Sequence, residues 1–496
     1  MVDGSRPGPV LFLGVAPEVL AAADGRIVAV GRDAVEMGAG ARVVELEGRV
    51  LPGLGDSHLH LHELVRLRLD LDLSKARTAA ELLRRVAARA GRLGPQEWVV
   101  GAGWSGRLFA EGVAPSRREL DRAADGRPVA LLSRDEHSVW ASTRALELAG
   151  IAWQGPDPHP MVVDRGPDGD PSGVVREAGP AFLRLIPRPD APAYERELER
   201  VLQRLSALGL CSIHSMDPPE TYFALQRLHA RGRLPLRVTY NLPADLIEDA
   251  GRLGLRQGLG DPWLRLYGVK AFVDGSLGSG TAEMRGGGGV ARLSDRDLRD
   301  LVEVSARTEL NLCLHAIGDM AVHRALSALR AGVGSWPGWR PRIEHAQLVD
   351  PSDIPLFCEV GAVASMQPLH APADREMADR LWTGLTGHAY AWGMLARAGV
   401  RLAFGSDAPV ESADPMLGLE AATGWRSRAG WHPELALTRR EALLAYTSGV
   451  ALAGGVERQE GRLRPGYRCD LTVVRGGRVV ATVVDGVVRS AAPDPT

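Results

Sequence analysis

Short apolar, β-branched runs recur along the chain and alternate with stretches of helical periodicity. Eight such runs lie at residues 49–54, 210–215, 236–242, 264–273, 310–315, 341–346, 363–366 and 401–405. Helical patterns separate several of them, residues 295–309 for example, and residues 194–208 lead into the second run. Unbroken apolar strands alternating with helices signal parallel strands covered on both faces. Eight of them predict an α/β architecture, a (β/α)8 TIM-like barrel rather than an open sheet. About 155 residues separate the first two runs, far beyond a normal βα connection, so an inserted subdomain is expected at about 65–200. Both ends read differently: short strands with tight turns fill the first fifty and the last forty residues. Chain ends tend to lie together, so one small β-sandwich built from both termini is expected. The resulting division is 1–50 and 456–496 for the sandwich, 51–410 for the barrel with its insert, and 411–455 for the last barrel helices.

Composition narrows the class. The chain has 496 residues, 45% of them hydrophobic, and a formal net charge of -2, enough to bury large cores and too little positive charge to attract nucleic acid or an anionic membrane. No apolar run is long enough to span a bilayer. Met1-Val2-Asp3-Gly4 lacks the charged-then-apolar opening of a secretory signal, and Cys211, Cys313, Cys358 and Cys469 stand far apart. A cytoplasmic enzyme acting on a small molecule is the expectation. Only Lys75 and Lys270 are lysines among 59 basic residues. In a chain so biased toward arginine, a lysine inside an apolar strand calls for a chemical reason.

Chemistry gathers where the runs end. In Gly55-Asp56-Ser57-His58-Leu59-His60 the two histidines fall on one face of an extended chain and can grip one ion. The pair alone reads equally well as two turn histidines, and His62 belongs to the next element. Lys270 is centred in a buried run, where burial depresses its pKa. A neutral amine can capture carbon dioxide as an anionic carbamate, whereas arginine stays protonated. A strand-end lysine reaching out to water is the plainer alternative. His315, His345 and Asp407 end three further runs. Metal-capable groups therefore fall at the carboxyl ends of the first, fourth, fifth, sixth and eighth strands, the rim where such barrels place their active sites.

With these motifs quoted in order, including Val269-Lys270-Ala271-Phe272-Val273-Asp274-Gly275-Ser276, His315-Ala316-Ile317-Gly318-Asp319, Arg342-Ile343-Glu344-His345-Ala346-Gln347 and Gly405-Ser406-Asp407, the chain resembles the amidohydrolase superfamily. The likeness is strongest to its family-3 branch, which includes N-substituted formamide deformylases. The resemblance implies His58, His60, Lys270 (carbamylated), His315, His345 and Asp407 as ligands of one or two zinc-like ions, with Asp407 also the catalytic acid and base. It implies hydrolysis of a non-peptide C–N bond in an amide, formamide or cyclic amide, with deamination, isomerisation or decarboxylation at the same site as the alternative. A homodimer is compatible with the family, although no self-complementary surface is readable from residues. His137 resembles a substrate-facing segment of the insert, and Glu177 a segment running past the active-site mouth. Trp104 and His370 are further candidates for substrate contact, and Gly286–Gly289 for a lid hinge; a loop histidine explains His370 equally well, while core packing is the plainer reading of Trp104 and a surface linker that of the glycine run. Three positions depart from the branch's pattern: Glu136 where glycine is usual, and Gly280 and Met320 where arginine is.

Overall fold

The computed structural model describes residues 9–14, 19–37, 40–104, 116–134 and 137–491. Eight strands form one sheet in simple chain order: β1 (Leu54–Leu59), β2 (Leu210–Ser215), β3 (Arg237–Pro243), β4 (Leu264–Phe272), β5 (Asn311–Ala316), β6 (Arg342–His345), β7 (Val363–Met366) and β8 (Arg401–Phe404). All neighbouring pairs are parallel. The sheet closes through the residues just past β8: Asp407 N donates to His58 O at 2.7 Å, His60 N donates to Ala408 O at 2.8 Å, and Leu59 bridges Ala408. This is a TIM-like barrel. Its strands are nearly all buried and join the surrounding helices in one large apolar core that runs from Leu54 to Tyr446.

The expected first strand at 49–54 needs correction. Arg49–Pro52 pairs antiparallel with Leu471–Arg475 at the other end of the chain, and the barrel strand begins only at Leu54. Proline lacks the N–H that a central strand requires, so Pro52 ends the pairing. Gly53 then makes the turn in a place where a Cβ would lie 2.8 Å from Cys211 Sγ and 2.9 Å from Asp470 Cβ.

Between β1 and β2 lies a separate six-stranded sheet, from Leu71–Asp72 to Pro171–Arg176, with an apolar cluster on each face. The helix Ala191–Ala207 already belongs to the barrel: Leu198, Leu202 and Leu205 pack in its core. At the chain ends, one four-stranded sheet uses residues 10–45 only. A second joins Arg49–Pro52 to the C-terminal strands. Phe12, Ile27, Val50, Leu471 and Val483 share the core between them. Arg237, fully buried at the start of β3, binds Asp470 at 2.7 and 2.9 Å and Asp485 at 2.9 Å, fastening this sandwich to the barrel. Among the described residues no helix is long and apolar enough to cross a membrane.

Candidate metal centre

The carboxyl ends of the barrel strands bring most of the expected residues together. His58 ends in a cluster with His60 and Asp407: His58 Nε2 lies 3.3 Å from His60 Nε2 and 3.4 Å from Asp407 Oδ1, and His60 Nε2 lies 3.1 Å from that oxygen. Lys270 Nζ sits 3.2 Å from His58 Nε2 and is 5% exposed. Metal–ligand bonds of 2.0–2.1 Å in a tetrahedron imply donor separations of about 3.3–3.4 Å. The cluster has that spacing. The His345 ring faces His58 and His315, with centroids 4.8 and 4.6 Å away.

The outward nitrogen of each imidazole decides what the inward one can do. His58 Nδ1 donates to Glu344 Oε2 at 2.6 Å, and His345 Nδ1 donates to Gln367 Oε1 at 2.9 Å. In both, the lone pair is left on Nε2. His315 is reversed: Nε2 donates to Gly275 O at 3.0 Å, and Nδ1 is buried without a partner. An orphaned buried acceptor of this kind is what a ligand to an absent ion looks like, and far-side acceptors that fix the tautomer are the usual supports of metal-binding histidines.

Electrostatics agree. Burial, with the Lys270 charge adding to it, pushes His58 down to about 4, and burial likewise holds His315 and His345 well below the ordinary histidine range. All three are neutral, as metal ligation requires. Burial also lowers Lys270, favouring the free amine. Burial works against the Asp407 carboxylate, yet the His60 hydrogen bond and the neighbouring imidazoles outweigh it and keep it ionised. His345 and Asp407 have left-handed backbones, φ 72° and 58°. Such strain costs roughly 1–3 kcal/mol per residue and is retained where the surroundings over-determine it.

A cavity of about 180 Å³ opens above the cluster, lined by His60, Lys270, His315, His345 and Asp407 and, from the insert, by His137, Gly179 and Leu183. The insert is docked there by Arg134 on Glu411 at 2.8 Å and by Ser138 on Ser279 at 2.9 Å. His137 reaches the cavity with Nδ1 3.0 Å from Glu177 Oε2. Glu177 is buried behind it, paired also with Arg292 Nη1 at 2.9 Å and Thr281 Oγ1 at 2.5 Å, so it positions His137 and Arg292 and does not line the cavity. Trp104 is in the core of the insert, its Nε1 donating to Leu131 O at 2.6 Å, away from the cavity lining. His370 does line it, with Nε2 3.5 Å from Asp407 Oδ2. His62 turns away and meets Tyr194 Oη at 3.0 Å. Gly280 is exposed with φ 65°, and Glu136 lies outside the described residues.

Sequence reasoning passed over Glu344. Its carboxylate is fully buried, within 2.7 Å of Arg342 Nε and 3.0 Å of Arg342 Nη2, and it is the group that orients His58. The signal was present: Arg342 and Glu344, two apart in a short strand, both face the barrel interior, where a charge needs a partner.

A model of the amidohydrolase family matches residues 42–489. The chain belongs to the amidohydrolase family. Among its relatives, this amidohydrolase is 28% identical to the protein YtcJ of Bacillus subtilis over 87% of its own length and 85% of that protein's. It is 27% identical to the N-substituted formamide deformylase of Arthrobacter pascens, over 94% of its own length and 93% of that enzyme's. Among solved structures it superposes on a metal-dependent hydrolase of Pyrococcus furiosus with a TM-score of 0.74, at 27% identity, covering 95% of this chain and 99% of the other. The amidohydrolase is therefore a hydrolase by family, and its buried His and Asp donor groups suit a metal ion.

Proposed function

We propose that this amidohydrolase cleaves a non-peptide C–N bond of a small amide or formamide, with a zinc-like ion held by His58, His60, Asp407 and a carbamylated Lys270, and with His315 and His345 completing the centre. The observation that carries the reading is the gathering of His58, His315 and His345, each with one ring nitrogen left free of a proton, beside one ionised carboxylate. A bound divalent ion supplies Lewis acidity and brings the pKa of a coordinated water to about 7. The chain's own groups do the rest. Lys270, a buried amine, adds to carbon dioxide, forming an N–C bond and releasing a proton. Asp407 accepts the proton of the attacking water and returns it to the departing nitrogen as the C–N bond breaks. Glu344 and Gln367 hold the imidazoles in the productive tautomer, and the insert covers the cavity with His137. The small cavity and the relationship to a formamide deformylase favour short N-acyl or N-formyl amines.

The test is a panel of N-formyl and N-acyl amines incubated with zinc- or cobalt-loaded protein, reading amine and carboxylate together. Asp407→Asn should lose turnover at least a thousandfold while keeping the fold. Ammonia from cyclic amidines with no amide cleavage would replace the reading by deamination. Undiminished activity in Asp407→Asn would remove the assigned proton carrier.

A further inference from the structure

Arg292 reaches the cavity from the loop that follows β4. Its backbone N donates to Val273 O at 2.8 Å and Val290 N donates to Thr281 O at 2.8 Å, so the loop is laced to the end of that strand. The guanidinium lies over Phe272, the last residue of β4, with Cζ 4.9 Å from the ring centroid. Lys270 Nζ is 4.8 Å from the same centroid, so less than about 10 Å separates Arg292 from the lysine of the candidate centre. The Arg292 side chain lines the cavity and is only 13% exposed. Among the described residues its guanidinium makes one hydrogen bond, from Nη1 to Glu177 Oε2 at 2.9 Å. Nε and Nη2 are left over. Together they form one edge of the planar fork, an edge whose spacing matches the two oxygens of a carboxylate. A polar edge this enclosed calls for an acceptor.

Apart from the centre and the histidines, the other charged residues of the cavity wall are acidic and stand elsewhere. Glu63 follows β1, Asp374 follows β7 and Glu411 follows β8. In a barrel whose strands run in chain order, β4 lies opposite β8. An anionic group is thus repelled by one side of the cavity and received on the other. We propose that Arg292 is a specificity-determining residue that binds a carboxylate of the substrate through Nε and Nη2. The amides cleaved are then N-formylated or N-acylated amino acids, with the acid end turned toward β4. The proposal rests on the C–N hydrolysis reading above and narrows its substrate class. Glu177 fixes the guanidinium by taking Nη1, and the Phe272 ring supports it, so the fork is set before substrate arrives. Glu177 is itself anchored by His137 and Thr281, which keeps that support in place. A lysine at 292 would supply charge without the two-point match.

The experiment compares N-formylglycine, N-formyl-β-alanine and N-formyl-γ-aminobutyrate with their neutral carboxamides, using zinc-loaded full-length protein and reading kcat/KM from amine release. The variants are Arg292→Lys, Arg292→Gln, and Arg292→Gln combined with Glu177→Gln, which leaves no buried carboxylate stranded; circular dichroism checks that each is folded. In the parent at least one acid should be favoured over its carboxamide by about 10-fold or more, chiefly through KM, as a charge-assisted two-point contact gives. The ratio should fall to near one in both glutamine variants and to an intermediate value in Arg292→Lys. The ratio is the readout because a merely structural defect lowers both members of a pair alike. No acid preferred in the parent, or a parental ratio in the glutamine variants, would overturn the subsite. If no amide is cleaved, the hydrolysis reading fails on its own. Calorimetric binding of the same pairs to the same proteins then decides Arg292, by the same ratio.

Discussion

Replacing Glu344 by glutamine removes one charge from a place where water cannot compensate. Glu344 and Arg342 are both fully buried, and the carboxylate also accepts the His58 Nδ1 proton at 2.6 Å. Burial opposes its charge, but Arg342 and His58 overcome that and hold the carboxyl far below the usual range. Removing one member of a buried pair strands the other, at a cost of about 3–5 kcal/mol. That is a large part of the ~5–15 kcal/mol that holds a typical domain folded. Zinc affinity should fall as well, by about 10- to 100-fold, because His58 loses the carboxylate that makes it basic. Guanidinium unfolding of the metal-free protein reads the first effect, and chelator competition the second. Adding Arg342→Met removes the stranded guanidinium and should restore much of the stability while affinity stays low. A single variant within about 0.5 kcal/mol of the parent, the range of ordinary surface changes, would refute the argument.

Lys270→Arg should bind ions poorly and turn over little, while Lys270→Ala with a short carboxylic acid should recover part of the activity; full activity with arginine would exclude the carbamate. Glu177 gives a pH dependence of known sign. Although burial alone would raise it, His137, Thr281 and Arg292 bring its carboxyl from 4.5 down to about 2. Its stabilisation is therefore complete above pH 4.5 and is lost as pH falls from there toward 2, so Glu177→Gln should flatten the acid limb of the stability curve in that window; parallel acid limbs would count against the pairing. Trp104→Phe should cost roughly 1–3 kcal/mol of stability through its lost hydrogen bond and packing, yet leave KM within twofold, since the ring sits in the insert core. A large KM change alone would return Trp104 to the cavity wall.

The barrel was legible because each of its strands is a buried apolar run, and periodicity reports burial directly. Its first boundary was not, since Val50-Leu51 and Leu54 look like one strand until Pro52-Gly53 is weighted as a break. That His58, His60, Lys270, His315, His345 and Asp407 would meet at one rim was readable from their positions at strand ends. Glu344 was masked by its neighbour His345, whose imidazole at the strand end is a sufficient ligand signal by itself. For Trp104 and Glu177 the sequence showed residue type without direction. Whether a tryptophan faces a core or a cavity, and whether a glutamate touches substrate or only its neighbour, is set by packing between segments far apart in the chain.

The seam between β1 and the turn after β8 carries a consequence for biosynthesis. His58 and His60 emerge from the ribosome early, but their carboxylate partner and the strand that holds them in place arrive some three hundred and fifty residues later. Until Ala408 has been made and has hydrogen-bonded to His60, the nascent chain has no assembled centre. On the reading proposed above, ion capture and hydrolysis arrive together, late in translation, and a chain that terminates before Ala408 should be inert.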